Sequence, residues 1–216
     1  MSKSLEDRVQ RLEDTIEIYN LQARYQFYLT AYWGTRIEEL FAKKTPVVVD
    51  LSGAKWHGLE GVRRCFGSLD IVHKTMPGRM GSIMAIQPLL TWGKDGKTAH
   101  GQWFLFGPAV LPIKNDEKEK EHLEPCWMFG KYDCDYVKED GEWRFKKFGV
   151  YIHFDSPHKK GWVEAPLPYH IRTFESERGA EPDEPVTMGH LYKVTGPNTY
   201  GPDPPEEARA PFRNAK

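Results

Sequence analysis

Near the start of the chain the apolar residues Leu5, Val9, Leu12, Ile16 and Tyr19 recur at intervals of three and four, the period of one helical face. Ser4 followed by Asp7 supplies a start signal, and the pattern runs on through Leu21, Tyr25, Tyr28, Leu29 and Tyr32 to Gly34 with no proline to interrupt it. The spacing predicts one long helix whose second half carries the tyrosines. Ile37, Leu40 and Phe41 predict a short helix over residues 35–43, and the β-branched run Val47-Val48-Val49-Asp50-Leu51 predicts a strand closed by the turn Ser52-Gly53. Residues 58–68 read as another short helix, followed by a glycine-containing loop through Pro77-Gly78-Arg79-Met80-Gly81.

Further on the period changes from helical to alternating. Strands are predicted over residues 82–92, 98–106, 127–138 and 143–154, with turns at Lys94-Asp95-Gly96-Lys97 and Glu139-Asp140-Gly141-Glu142 and a charged loop over 115–121. Helices followed by an antiparallel meander predict an α+β fold with the helices packed on one sheet face. Beyond Ser156 the periodicity gives way to proline, glycine and charge. We therefore expect a body over 1–156 and an extended tail over 157–216, and isolated Trp162, Tyr169, Phe174, Leu191, Tyr192 and Tyr200 predict that the tail packs on the body or on a neighbouring subunit.

Composition narrows the function. Lys and Arg total 30 against 31 Asp and Glu, so no charge excess favours nucleic acid or an anionic membrane surface. The apolar runs are too short to span a bilayer, and the charged start lacks the apolar core of a secretory signal, so the expected location is the cytoplasm. Cys65, Cys126 and Cys134 fit neither a disulfide framework nor a zinc site and are read as reduced. Aromatic residues make up 13% of the chain, with seven Trp and ten Tyr, which points to a pocket built for rings.

An ordered set of motifs carries a resemblance: the tyrosine-rich helix end, VVVDL, Gly-Leu-Glu-Gly-Val, Gly-Lys-Thr-Ala-His-Gly-Gln-Trp, Gly-Lys-Tyr-Asp-Cys-Asp-Tyr and Asp-Gly-Glu-Trp-Arg-Phe. Over roughly Leu5 to Phe154 the chain resembles the SnoaL-like branch of the nuclear transport factor 2-like superfamily. The resemblance implies a cone-shaped, strongly bent antiparallel sheet closed by N-terminal helices around a deep apolar cavity. It also implies a homodimer or higher homo-oligomer, and chemistry without a cofactor. Members include scytalone and bile acid dehydratases, ketosteroid isomerases, polyketide cyclases and diarylpropane formaldehyde lyases.

No phosphate-binding loop, dinucleotide fingerprint, HExxH, GxSxG or Cys/His ligand cluster occurs, which leaves acid–base chemistry and no metal site. His153, near the end of the last strand, is expected to share a face with Tyr151, Trp143 and Phe145 and is the first choice as acid or base; otherwise it is a histidine bonded at a strand end. Arg79 lies near the place where the dehydratases carry a catalytic histidine, which is absent here, and an arginine there would hold a phenolate or a leaving hydroxyl; otherwise it is a surface arginine. Tyr25 corresponds to the family's pocket tyrosine, whereas Thr30 stands where the dehydratases often have Asp. Asp50 is the candidate carboxylate, or else a turn cap.

Tyr28, Tyr32, Trp103, Tyr132 and Tyr151 are expected to line the substrate pocket, with Tyr136 as a further wall candidate and core packing as the alternative for each. His57, His73, His100 and His122 are given minor roles. Together these residues predict a cofactor-independent lyase for a hydrophobic, hydroxylated aromatic substrate, as specific as a lignin-derived diarylpropane losing water and formaldehyde to give a stilbene. A dehydratase or ketosteroid-type isomerase of a polycyclic substrate is the alternative, and a non-catalytic ligand-binding or adaptor domain the reading from another class.

Overall fold

The computed structural model describes residues 4–70, 77–113, 122–166, 181–187, 189–198 and 201–209. Its first element is α1 (Leu5–Thr30), opened by a capping box in which the Ser4 hydroxyl accepts from the Asp7 amide and the Asp7 carboxylate from the Ser4 amide, both at 3.1 Å. The helix stops at Ala31. Tyr32 then adopts the left-handed region at φ 57°, so the predicted continuation to Gly34 is cut short by a turn. Two short helices follow, α2 (Gly34–Glu38) and α3 (Gly58–Gly67), separated by β1 (Val48–Leu51) and β2 (Ala54–His57). Ser52 at φ 53° and Gly53 at φ 99° make the two-residue turn between those strands, whose second member, β2, the sequence reading left out.

The remaining strands are β3 (Met80–Gly81), β4 (Met84–Trp92), β5 (Thr98–Ile113), β6 (His122–Glu139) and β7 (Glu142–Pro157). They form one curled sheet in the order β2-β1-β7-β6-β5-β3, with β4 also paired to β5. β5 is far longer than predicted and β6 begins five residues earlier, at His122, because the two pair continuously from Thr98–Val137 to Ile113–His122. The expected antiparallel meander runs through β4, β5, β6 and β7, and β1 joins it in parallel with β7, reaching its partner across the intervening helix and hairpins. The predicted charged loop at 115–121 lies outside the described residues.

Irregularities in the ladder bend the sheet. Between Asp135 and Tyr136 the partner residues jump from Lys147 to Phe145, leaving Lys146 extra; between Phe129 and Gly130 they jump from Phe154 to Ile152, leaving His153 extra. At the second place the backbones approach so closely that a Cβ on Gly130 would stand 2.2 Å from the Tyr151 carbonyl oxygen. The concave face carries the core, where Tyr25 of α1 packs on Phe148 with ring centroids 4.2 Å apart and Phe148 on Phe145 at 5.1 Å.

Polar contacts fix α1 across that face. Asp14, buried, accepts from Lys138 Nζ at 2.8 Å and Trp143 Nε1 at 2.9 Å; burial pushes its carboxyl up, but those donors outweigh it and hold the group below its ordinary range. Gln22 accepts from Tyr136 and Gln26 from Tyr132, at 3.2 and 3.4 Å. The helix buries Asp14, Ile18, Leu21, Gln22 and Tyr25, so the regular stripe from Leu5 to Tyr19 is not the face turned to the sheet.

The described tail segments lie on the body. Short helices α4 (Gly161–Glu164) and α5 (Glu206–Arg209) punctuate them. Trp162 stacks on Phe154 at 4.8 Å, the Tyr192 amide donates to the His153 carbonyl at 2.7 Å, Lys55 pairs with Glu184 at 2.6 Å, and Gln102 donates to the Asp203 carbonyl at 2.9 Å.

Candidate functional site

A cavity opens inside the curl of the sheet. Its walls come from α1 (Tyr25, Leu29) and Tyr32, from β1, β2 and α3 (Leu51, Trp56, Phe66), and from the sheet (Leu105, Leu111, Met128, Tyr132, Val150, Ile152). Apolar side chains dominate, because alternation along β5, β6 and β7 sends every second residue into the concavity. Arg79, in the turn before β3, contributes the charged group of the wall, joined by the polar residues Tyr25, Tyr32, Ser52 and Tyr132. Ser52 accepts from the Ile152 amide at 3.1 Å and so joins the turn to β7.

The buried tyrosines are held as neutral phenols. Burial drives the Tyr25 phenol well above its ordinary range, with neighbouring Tyr132 adding to the effect. Burial likewise raises Tyr132, against a lowering contribution from its bond to Gln26. Both stay protonated at neutral pH.

Of the residues singled out in the sequence, the structure gathers Arg79, Tyr25, Tyr32 and Tyr132 at this cavity. His153, Asp50 and Tyr151 lie elsewhere, which corrects the expected shared face. Because Lys146 is extra, alternation inverts along β7: Trp143 and Phe145 share the concave face with Phe148, Val150 and Ile152, while Lys147 and Tyr151 take the other. His153 is itself the extra residue of the second bulge; its ring packs on Phe129 at 5.6 Å and its Nδ1–H donates to the His190 carbonyl at 2.8 Å. Burial lowers its pKa, so the imidazole is neutral. Asp50 accepts from the Gly53 amide and the Tyr151 hydroxyl, both at 2.8 Å.

Tyr28 packs against Trp33, and Trp103 donates its indole N–H to Tyr136 at 3.0 Å beside a separate groove between α1 and β4. The wall residues Leu29, Leu51, Ser52, Trp56, Phe66, Leu105, Leu111, Met128, Val150 and Ile152 went unpredicted. The signal that finds the strand ones is the inward register of β5–β7, legible only once the bulges are known. His73 lies outside the described residues.

On the convex face a polar strip crosses three strands. Asp133 accepts from Lys147 Nζ and Gln102 Nε2, each at 2.8 Å, and its Oδ1 stands 3.2 Å from His100 Nε2, whose Nδ1 lies 2.7 Å from Asp135. The bonds to Asp133 and then Asp135 raise the His100 pKa from 6.5 to about 9, against its burial. Burial pushes the Asp133 carboxyl up, yet His100 and Lys147 leave it far below the usual range. A raised folded pKa stabilises only while the group is protonated. The His100 contribution is therefore complete below its unfolded pKa and is lost as pH rises through about 9, a loss of at most about 3 kcal/mol. Urea midpoints should fall from pH 6 to pH 9.5, and His100→Asn should flatten that slope; an unchanged slope would remove His100 as its source.

Among the described residues no three His, Cys, Asp or Glu side chains gather to hold a metal ion, and no helix is long and apolar enough to cross a membrane.

Residues 10–149 match the model of the SnoaL-like domain family, well over half of the chain. The chain belongs to that family. This SnoaL-like domain has the curled, antiparallel-dominated half-barrel with an N-terminal helix that defines the nuclear transport factor 2-like cone. No curated protein matches its sequence at a significant level. Solved structures share the fold at low identity. A candidate scytalone dehydratase from Novosphingobium aromaticivorans aligns at TM-score 0.54 with 16% identity, covering 70% of this chain and 91% of its own. The type 3 hexachlorocyclohexane dehydrochlorinase of Novosphingobium barchaimii aligns at 0.51 with 15% identity over 74% and 99%. A protein of unknown function from Mycobacterium tuberculosis aligns at 0.51 with 17% identity over 71% and 79%.

Proposed function

We propose that this SnoaL-like domain is a cofactor-independent lyase that expels water and then formaldehyde from a hydrophobic, hydroxylated diaryl substrate. The observation that carries the reading is an arginine set into an apolar, ring-lined wall together with the buried tyrosines Tyr25 and Tyr132. Such a wall takes up aromatic rings by burial, and a guanidinium inside it binds a phenolate more strongly than water would. Two of the fold neighbours bear names of eliminating enzymes, a dehydratase and a dehydrochlorinase, which accords with a loss of water.

The chain's own residues suffice for a balanced sequence. Arg79 holds the substrate's phenolic oxygen as phenolate, its proton leaving to solvent through the mouth. Electrons from the phenolate push out the benzylic hydroxyl, the C–O bond breaks, and Tyr25 supplies the proton that makes the departing group water, leaving a quinone methide. The resulting tyrosinate, strongly basic in its buried place, takes the proton of the terminal alcohol. The C–C bond then breaks, formaldehyde departs, and the electron pair returns the ring to phenolate as the stilbene forms.

The His–carboxylate chemistry of a dehydratase or isomerase has less support, because His153 and Asp50 lie on the opposite face of the sheet from the cavity. An adaptor would be expected to fill its cavity with its own side chains. Mass spectrometry of purified protein incubated with hydroxylated diarylpropanes, steroids and polyketide-like compounds tests the proposal. A product lighter by water plus formaldehyde supports it; loss of water alone moves the reading to a dehydratase, and no turnover of any class sinks the lyase.

A further inference from the structure

The five residues that open α1 occupy a heptad. With Val9 and Ile16 at positions a, Leu5, Leu12 and Tyr19 fall at positions d. All five are exposed, Leu5 by 72%, Leu12 by 64% and Ile16 by 58%. The body takes the far side of the helix, because buried Asp14 and Leu21 fall at f and Ile18 and Tyr25 at c. From Leu5 to Ile16 a seam of large apolar residues thus runs along a capped helix on the side facing away from its own sheet, and at Tyr19, whose ring meets Trp103 of β5 at 5.3 Å, it turns back towards the body. It continues into the groove where Tyr19, Ala23 and Phe27 face Met84 of β4. An apolar surface of this extent marks a contact with another molecule.

We infer that the seam pairs with the same seam of a second copy of this chain, as a parallel two-stranded coiled coil. Two features choose this occupant. β-Branched residues at a with leucine at d favour two parallel strands. The flanking charges fit as well: in a parallel pair position g meets e of the next heptad on the partner helix, which sets Arg8 against Glu13 on both sides of the seam. Among the described residues neither Arg8 nor Glu13 is committed to an ion pair within the chain. An antiparallel pair would instead bring Glu6 and Glu13 of the two helices together. The seam is short, but α1 is already folded on its sheet, so pairing carries no helix-nucleation cost.

Sedimentation of the full chain at micromolar concentration should give the mass of two copies. Arg8→Glu and Glu13→Arg should each weaken the dimer about tenfold, and the double swap should restore it. Leu12→Cys should form a covalent dimer on mild oxidation, since d positions meet their own copies only in a parallel pair; the native cysteines are buried. Ile16→Glu should give a monomer with an unchanged circular dichroism spectrum, which separates loss of pairing from loss of fold. A wild-type monomer, a three-chain mass, a dimer indifferent to Ile16→Glu, or charge swaps without mutual rescue would each overturn the inference.

Discussion

Arg79→Met should lower kcat on the diarylpropane by about 10²–10³-fold while the chain stays folded. The substitution keeps an unbranched side chain of comparable length in the wall and removes the guanidinium that would face the phenolate. The loss should fall on KM as well as on kcat, because Arg79 holds the phenolate in the bound state and receives it again as the C–C bond breaks and formaldehyde leaves. Arg79→Lys should recover part of the rate, since an ammonium keeps the charge but not the planar pair of donors. The control is His153→Gln, which alters a side chain bonded to the tail on the opposite face and should leave kcat near wild type. Wild-type turnover by Arg79→Met, or a comparable loss with His153→Gln, would remove the cavity as the reaction site. Initial rates by formaldehyde release read all three variants.

Asp133→Ala should destabilise the fold by about 3 kcal/mol, lowering the melting temperature by roughly 10 °C. Asp133 is 5% exposed and serves three donors at once: Lys147, Gln102 and His100. Removing it leaves the Lys147 ammonium without its counterion and His100 and Gln102 without their acceptor, which costs more than the lost attraction alone. Gln102 also reaches the tail carbonyl of Asp203, so the variant should loosen the tail segment over the convex face. Asp133→Asn keeps the shape and part of the hydrogen bonding and should cost less. Calorimetry decides the matter: a melting temperature within about 2 °C of wild type would mean that the strip contributes nothing to stability.

The elements were largely legible because each is written in neighbouring residues. The helix start at Ser4, the strand ending in Leu51, the Ser52-Gly53 turn and the hairpin turns at Asp95-Gly96 and Asp140-Gly141 rest on local periodicity and turn chemistry, and they stand where expected. Arg79, Tyr25, Tyr32 and Tyr132 were legible through the family resemblance and the aromatic pattern, and they meet at the cavity. β2 and the far ends of β5 and β6 were not. Their pairing depends on partners distant in the chain, and the sequence at Pro108 and Pro112 or at Glu124-Pro125 argues locally against a strand.

The face of the last strand was the largest departure. Strict alternation from Trp143 carries His153 into the cavity, but one extra residue at Lys146 reverses the side chains from Lys147 to Ile152, and His153 is itself the extra residue of the next bulge. That residue carries no local mark, because a bulge is a property of two strands in register and not of either one. The heptad of α1 shows the same division. Its period was plain from Leu5 to Tyr19 and required a helix, yet period alone does not say which stripe meets the sheet. Asp14, Gln22 and Tyr25 found donors and rings on β6 and β7, and that tertiary fit turned the regular apolar stripe outward. Nearest-neighbour stereochemistry therefore decides what each segment becomes, and long-range register decides what each side chain faces.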